Sequence, residues 1–208
     1  MDSGLRERLI DAGVELVTGE GSAALGLREI ARRAGVSHGA PRRYFPTHHA
    51  LLSAIARRGF GELGSRIPAA LAGPGAEDPR GQVRALGRVY VGYALERPGM
   101  FELMFRHDLL DGSGRDGTVE TPGAAGAAGA PEAPLRESTL PMFELLVSLV
   151  ARCRTEGEPR ITAAALWANL HGAAQLWSRG SLPLALGGDP EVTLDRVVDA
   201  AVDAHLRP

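Results

Sequence analysis

Apolar residues recur at three- and four-residue spacing along most of the chain, which is the pattern of amphipathic α-helices. The last such segment, 192–206, keeps its apolar positions on one face and leaves three aspartates on the other. Comparable segments are predicted at about 5–19, 27–34, 37–45, 48–71, 78–97, 100–110, 135–155 and 161–180. No stretch alternates convincingly at the two-residue period of a strand. The pattern therefore predicts an all-α protein of about nine helices.

Breaks in this pattern predict how the helices are grouped. Gly73, Pro74 and Gly75 interrupt the chain after the fourth helix. Residues 111–134 are dominated by Gly, Ala and Pro and show no apolar period. Such a segment cannot form a packed core, so we expect a mobile loop that is either disordered or a flap over an opening. The predicted organisation is a domain at 1–47, a connecting helix at 48–72 and a larger domain at 73–208.

Two of the predicted helices meet at a tight turn. Gly35 follows the first of them as a stop that can adopt a positive φ, and Ser37 is the candidate N-cap of the second. Pro41 falls in the first turn of that second helix, where proline is tolerated. A short, small-residue helix of this kind fits the major groove of B-DNA, so the pattern predicts a helix-turn-helix DNA-binding unit. The alternative is a similar helix pair with a purely structural role, which many helical bundles contain.

The distribution of charge favours the DNA-binding interpretation. From residue 28 to residue 58 there are seven arginines and one acid, a formal charge of +6 in a chain of net charge −2. Residues 1–66 carry +3 and residues 67–208 carry −5. A basic N-terminal part on an acidic body is typical of a protein that meets DNA with one end only.

The run from 5 to 52 resembles the DNA-binding domain of the Tet-repressor family of transcriptional regulators. The resemblance is carried by the block LREIARRAGVS at 27–37 and by the YFP run at 44–46, which leads into an Ala-Leu-Leu helix. It covers about a quarter of the chain. It implies a three-helix helix-turn-helix domain followed by a helical domain that binds a small molecule and forms a homodimer. Gly26, Arg42, His48 and His49 stand where the family commonly has a Ser or Thr cap, a phosphate-binding Tyr, a phosphate-binding Lys and an acid.

The resemblance and the helix pattern together nominate the DNA-contacting residues. We expect phosphate contacts from Arg28, Ser37, Arg42, Tyr44 and His48. His38, Gly39 and Arg43 are expected to face base edges, with Ala40 beside them on the outward surface.

A second set of residues nominates an effector site in the C-terminal part. Trp167, His171 and Gly172 form a WxxxHG spacing that resembles a signature of one subset of the family. Four residues apart on a helix, Trp167 and His171 share a face. The alternative is that His171 is a core histidine and Trp167 packs beside it. The full candidate lining for a small apolar or aromatic ligand is Tyr90, Tyr93, Phe101, Met104, Phe105, Phe143, Trp167 and His171.

Homodimerisation is expected through the helices near 163–178 and 192–206. Small residues along the first of these allow close approach of backbones, although alanine-rich helices also occur inside monomers. Two DNA-binding heads related by twofold symmetry would recognise a palindromic operator in double-stranded DNA. The function expected from the residues and the resemblance is a ligand-responsive repressor. The alternative is a helical protein-interaction adaptor that has lost specific DNA binding.

Other classes of function find little support in the sequence. The single cysteine, Cys153, excludes an internal disulfide and a multi-cysteine metal site, and no cofactor is expected. The six histidines and scattered acids form no zinc-protease, CxxC or nucleophile-elbow motif, which argues against an enzyme. The chain shows neither a signal peptide nor an apolar run long enough to cross a bilayer, so we expect a cytoplasmic protein.

Overall fold

The computed structural model describes residues 3–106, 136–153 and 157–206. Its α-helices are α1 (Ser3–Glu20), α2 (Leu27–Arg33), α3 (His48–Leu71), α4 (Pro79–Glu96), α5 (Pro98–Met104), α6 (Arg136–Arg152), α7 (Pro159–Ser178), α8 (Ser181–Leu186) and α9 (Pro190–His205). Two 3₁₀ turns, Ser22–Ala24 and Pro41–Arg43, complete the helical elements of these ranges. No described residue lies in a strand, and the predicted all-α fold is confirmed. The predicted loop at 111–134 lies outside the described residues.

The chain divides into two compact units, the first drawn from residues 1–60 and 99–138 and the second from 61–98 and 139–208. The boundary falls within α3, the helix predicted to connect the two domains. Among the described residues, no helix is both long enough and apolar enough to cross a bilayer.

The core of the first unit is built from the apolar faces of its helices. Leu9 and Leu16 of α1, Ile30 of α2, and Leu51 and Ile55 of α3 are completely buried. Their spacing follows the helical period that predicts these elements. Each such side chain contributes about 1.5–3 kcal/mol through burial, so the three helices stabilise one another.

The short helix α5 packs tightly within the first unit. A methyl group at Gly99 would collide with the carbonyl oxygen of Val17, near the end of α1. A methyl group at Gly59 of α3 would lie 2.8 Å from the sulfur atoms of both Met100 and Met104. Glycine is therefore required at position 99, where the obstacle is backbone, whereas at position 59 the two methionine side chains would have to shift.

The core of the second unit lies between α4, α7 and α9. Val91, Leu166, Leu170, Val198 and Val202 are buried there. These positions lie on the faces that the apolar period assigns to the interior of each helix.

A charge ladder joins α4 to α9 along the surface of this unit. It consists of Arg80, Arg84 and Arg88 on α4 and Asp195, Asp199 and Asp203 on α9. Arg84 lies 2.6 Å from Asp203, and Arg88 lies 2.8 Å from Asp199 and 3.2 Å from Asp195. Since higher-numbered arginines meet lower-numbered aspartates, the two helices are antiparallel.

The helices differ from the prediction in two places. The segment 37–45 is not an α-helix, for reasons given below. The additional helix is α8, which follows Gly180 in the left-handed conformation (φ 79°) and ends at Leu186, before Gly187 (φ 60°). This helix has only six residues, and Pro183 separates two of its leucines. The segment is therefore too short to show the apolar period by which a helix is predicted.

Candidate DNA interface and effector site

The first helix of the predicted helix-turn-helix ends as its sequence predicts. Gly35 adopts φ 68°, the left-handed conformation that glycine tolerates best. Its amide donates to the carbonyl of Arg32 (3.1 Å), and the amide of Val36 donates to that of Ala31 (3.0 Å). This pair of bonds is the Schellman motif, which terminates α2 and turns the chain toward the next segment.

The recognition segment, residues 37–45, corrects the sequence prediction. The sequence predicts a helix from Ser37, but only Pro41–Arg43 is helical, as a 3₁₀ turn whose N-cap is Ala40. Pro41 has no N–H and cannot donate to the carbonyl of Ser37, as an α-helix starting there would require. That carbonyl instead accepts from the amide of Ala40 at 3.0 Å. Gly39 adds a further cost to helix formation because of its backbone freedom.

The recognition segment is nonetheless anchored on one side and open on the other. Pro41 and Phe45 are buried, and the guanidinium of Arg6 lies 5.3 Å above the ring of Phe45. Most of the nominated DNA-contacting residues are exposed, namely Arg28, Ser37, His38, Gly39, Arg42, Arg43 and His48, while Ala40 and Tyr44 are half-buried. The buried side of the segment thus holds its backbone in place, while its polar and basic side chains face solvent.

Ion pairing separates the arginines of this region into two groups. Arg32 donates to Glu29 at 2.6 and 2.8 Å, and Arg33 pairs with Glu29 and Glu20. These hydrogen bonds from Arg32 and Arg33 lower the pKa of Glu29 to about 2, so the acid is ionised at neutral pH. Arg58 is paired with Glu7 at 2.5 Å.

The second group consists of Arg28, Arg42 and Arg43. Within the ranges that the structure describes, their side chains form neither a salt bridge nor a hydrogen bond. All three are exposed, Arg42 and Arg43 on the recognition segment and Arg28 in the first turn of α2. Their charges remain available for an anionic partner, unlike those of the paired arginines.

His48 begins α3 close to the helix-turn-helix. Its Nε2 atom lies 2.7 Å from the carbonyl oxygen of Leu25, just before α2. The hydroxyl of Thr47, immediately before it, accepts from the amide of Ala50 at 3.1 Å and caps α3 as the sequence suggests. One ring nitrogen of His48 is thus already engaged with the protein.

Four of the nominated effector residues come together in the second unit. The indole N–H of Trp167 donates to the hydroxyl of Tyr90 (3.0 Å), which lies 2.8 Å from Nδ1 of His171. The ring of Phe143 lies 6.0 Å from that of Trp167. Since the Tyr90 oxygen accepts from the indole, its own proton is available for Nδ1, and the network is satisfied with a neutral imidazole.

Burial keeps this cluster uncharged. It raises the pKa of the Tyr90 hydroxyl above its ordinary value and lowers the pKa of His171 below its own. Arg160 lies 5.3 Å above the ring of Phe143, but its charge is paired with Glu144 at 2.8 Å. The cluster therefore presents aromatic surface and neutral polar groups.

The other nominated effector residues lie elsewhere. Tyr93 is completely buried in the second unit, with Arg66 5.0 Å above its ring and Glu62 accepting from its hydroxyl at 3.4 Å. Phe101, Met104 and Phe105 belong to the first unit. There Phe105 packs against Phe101 (4.9 Å between ring centroids) and Phe60 (5.7 Å).

An apolar stripe runs along the exposed side of α7. It consists of Ile161, Ala165, Ala168, Gly172 and Leu176. Ile161 is 63% exposed and Leu176 is 48% exposed. Leu184 of α8 and Val192 of α9 are also largely exposed, at 88% and 59%. This is an unusual concentration of exposed apolar side chains in one unit.

These features define a class of protein: a helix-turn-helix transcriptional regulator with a helical second unit. A family model described as "Bacterial regulatory proteins, tetR family" matches residues 9–55. A second, "Tetracyclin repressor-like, C-terminal domain", matches residues 83–201, which is more than half of the chain. The chain belongs to the TetR family of bacterial transcriptional regulators. Its matched relatives are regulators and not enzymes.

Individual relatives agree with this assignment. The HTH-type transcriptional regulator BetI of Yersinia pestis (strain Pestoides F) is 36% identical over 81 residues, which span 39% of this chain and only 41% of that protein. A protein of unknown function from Rhodococcus sp. RHA1 is similar in structure (TM-score 0.71, 29% identity, covering 98% of this chain and 94% of the other). The TetR-family regulator SCO4454 of Streptomyces coelicolor shares the fold (TM-score 0.61, 20% identity, 99% and 95% covered).

Proposed function

We propose that this regulator is a homodimeric repressor that binds a palindromic operator and is released from it by a small apolar or aromatic ligand. The observation that carries the DNA-binding part is that Arg28, Arg42 and Arg43 are exposed and have no ion-pair partner among the described residues. A cation without an internal partner gains more from a phosphate than one that must first break an ion pair. The contrast with Arg32 and Arg33 supports a specific set of contacts.

Within this proposal the residues have distinct roles. Arg28, Ser37, Arg42 and Tyr44 hold phosphates and fix the register of the protein on the duplex. His38, Gly39 and Arg43 face base edges, and Arg43 has the forked donors that suit guanine. Base recognition needs side chains in fixed positions. Pro41 and Phe45 are buried and therefore anchor the middle and the end of the recognition segment in the first unit.

Dimerisation is supported by the apolar stripe of α7 and the exposed Val192 of α9. The small residues Ala165, Ala168 and Gly172 allow another helix to approach closely. A second copy, related by a twofold axis, would cover the same stripe on both chains. Two heads then bind two half-sites, which accounts for recognition of a palindrome by a short recognition segment.

The effector is proposed to bind at the cluster of Tyr90, Phe143, Trp167 and His171. The neutral, aromatic character of the cluster favours an uncharged ligand that stacks on rings and exchanges one or two hydrogen bonds. A ligand that binds better when the two heads do not match successive grooves must weaken DNA binding by linkage. The candidate lever is α3, which contributes residues to both units.

A gel-shift assay on the DNA upstream of the protein's own coding region tests the proposal. We expect a retarded complex that dissociates at high salt. We also expect a solution mass of twice the chain mass of 21.9 kDa. Small aromatic compounds should release the protein from the DNA at the concentrations at which they bind the free protein. Absence of a sequence-specific complex would favour the adaptor alternative. Tight ligand binding that leaves the complex intact would favour a regulator without induction.

A further inference from the structure

Two side chains from neighbouring helices hold main-chain carbonyls at the two ends of α2. At the C-terminal end, Nη2 of Arg8 donates to the carbonyl of Ala34 at 2.5 Å. At the N-terminal end, Nε2 of His48 lies 2.7 Å from the carbonyl of Leu25. We propose that Arg8 and His48 form a brace that fixes α2, and that His48 serves DNA binding as a positioning residue and not as a phosphate contact.

Both carbonyls need a partner from outside α2. Ala34 is the C-cap, and the Schellman bonds are accepted by Ala31 and Arg32. Leu25 precedes the N-cap Gly26, and the first bond of the helix, from Ile30, is accepted by Gly26. Main-chain groups at helix ends are satisfied by side chains or water, and here α1 and α3 each supply one donor.

The chemistry of the bond decides the role of the His48 ring. A carbonyl oxygen only accepts, so Nε2 of His48 carries the proton. In the neutral imidazole Nδ1 then has no proton and cannot donate to a phosphate oxygen. A phosphate contact through Nε2 would require breaking the bond to Leu25. In the neutral ring, the geometry therefore commits the one donor of His48 to the brace.

The N-terminal end of α2 has a particular need for this restraint. Gly26 is in an extended conformation (φ −76°, ψ 138°) and has no side chain to cap the helix. Glycine also leaves the chain more freedom there than any other residue. A bond to the adjacent Leu25 carbonyl limits that freedom. Losing His48 should consequently matter less when residue 26 carries a capping hydroxyl.

The brace connects to DNA binding through the direction of the chain. The C-terminal end of α2 leads through Gly35 and Val36 directly into the recognition segment. Any tilt of α2 would displace Arg42 and Arg43 from their contacts, and recognition tolerates only small displacements. This step rests on the proposed DNA-binding function, whereas the brace itself does not.

The first experiment compares full-length wild type, His48→Gln and His48→Leu on the duplex from upstream of the protein's own gene, over a range of salt concentrations. Glutamine keeps an N–H donor without any possible positive charge. We expect His48→Gln to bind within about twofold of wild type and His48→Leu about fivefold more weakly, with one salt slope for all three. A loss shared by both variants, with a slope reduced by about 0.9, would identify a phosphate contact and overturn the proposal.

The second experiment needs no DNA and separates failure of the brace from failure of the proposed function. Long-range ¹H–¹⁵N spectra of the wild type should show His48 as the Nε2–H tautomer. His48→Leu should lower the midpoint of urea unfolding, and should lower it less in a Gly26→Thr background, where an added Cβ atom meets nothing within 4 Å. An Nδ1–H tautomer, or an unfolding midpoint that His48→Leu leaves unchanged, would overturn the brace even if the protein binds DNA.

Discussion

Arg42 and Arg32 carry the same charge on neighbouring parts of the helix-turn-helix, but within the described ranges only Arg32 is paired with an acid. The charge of Arg32 is largely offset by Glu29 at 2.6 Å. Arg42 has no such partner among the described residues and is exposed on the 3₁₀ turn. The two positions therefore form a matched pair for testing which arginines neutralise phosphates.

Arg42→Ala should weaken binding about equally on specific and unrelated duplexes and lower the salt slope by about 0.9. Arg32→Ala removes the same formal charge, but its slope should stay close to that of wild type because Glu29 already offset that charge. The measurement is the dissociation constant by fluorescence anisotropy over a series of salt concentrations. Equal salt slopes for the two variants would show that Arg42 does not contact a phosphate.

At this scale the sequence predicts what depends on local chemistry. Gly35 was identified as the helix stop because its left-handed conformation follows from the residue type alone. The pairing of Arg58 with Glu7, and the bond from Arg8 to Ala34, join residues 51 and 26 positions apart. No periodic pattern reports such contacts. A simple count of arginines therefore overstates the charge that is available to DNA.

At the scale of elements, α5 shows how packing fixes the place of an aromatic segment. Its density of apolar residues predicts burial but not the surface against which it is buried. Phe101 and Met104, which the sequence suggests for an effector site, are buried in the first unit. The deciding contact involves Gly99 and the backbone of Val17, which the sequence does not reveal.

Gly99→Ala should destabilise the protein by about 2–3 kcal/mol, because the backbone of Val17 cannot move aside as a flexible side chain could. Gly92→Ala is the matched control in α4, where an added methyl group meets nothing within 4 Å. That variant should be neutral or more stable by up to about 1 kcal/mol through helix propensity. Urea unfolding of both proteins checks this, and equal effects would contradict the packing described for α5.

The charge ladder between α4 and α9 predicts a stability that depends on salt. Asp199→Asn keeps the shape of the side chain but removes its attraction to Arg84 and Arg88. We expect a loss of about 0.5–1.5 kcal/mol at low salt, since the groups are partly exposed and act as a network. The loss should shrink at high salt through screening. A difference from wild type that is the same at all salt concentrations would show that the effect is not electrostatic.

Protonation of the ladder predicts a dependence on pH. Burial acts to raise the pKa of Asp203, but hydrogen bonds from Arg84 and Arg80 prevail and lower it below 3.8. A carboxyl group with a lowered folded-state pKa contributes stability that is present above its unfolded pKa and is lost as the pH falls through the folded value. The unfolding free energy should therefore decrease below about pH 4, and less steeply in Asp203→Asn. If the unfolding free energies of wild type and Asp203→Asn fall equally with pH, Asp203 does not contribute to this pH dependence.

The recognition segment shows the limit of periodicity as a predictor of helices. Its small and apolar residues fit a helical period, but the pattern takes no account of the hydrogen bond that Pro41 cannot donate. Only local bonding, with the carbonyl of Ser37 accepting from Ala40, explains the 3₁₀ turn. Among the described residues, α8 is a helix that the pattern does not predict, and the segment 37–45 is a predicted helix that does not form.

For the molecule as a whole, the apolar stripe of α7 predicts self-association. Ala168→Glu introduces a charge at the centre of the stripe and should convert a dimer to a monomer at micromolar concentration. Ala69→Glu is the control, because Ala69 is also exposed on a helix of the second unit but lies outside the stripe. Sedimentation velocity distinguishes the two. A dimer that survives Ala168→Glu would place the interface on another surface.

The central claim is that the exposed arginines around the recognition segment bind duplex DNA as a symmetric pair of heads. Selection of bound duplexes from a randomised pool by the full-length protein, followed by sequencing, tests this claim most directly. The account predicts enrichment of an inverted repeat whose half-sites are about one helical turn apart, and loss of the enrichment in Arg42→Ala/Arg43→Ala. A pool in which no sequence is enriched, or one enriched equally by the double variant, would contradict it.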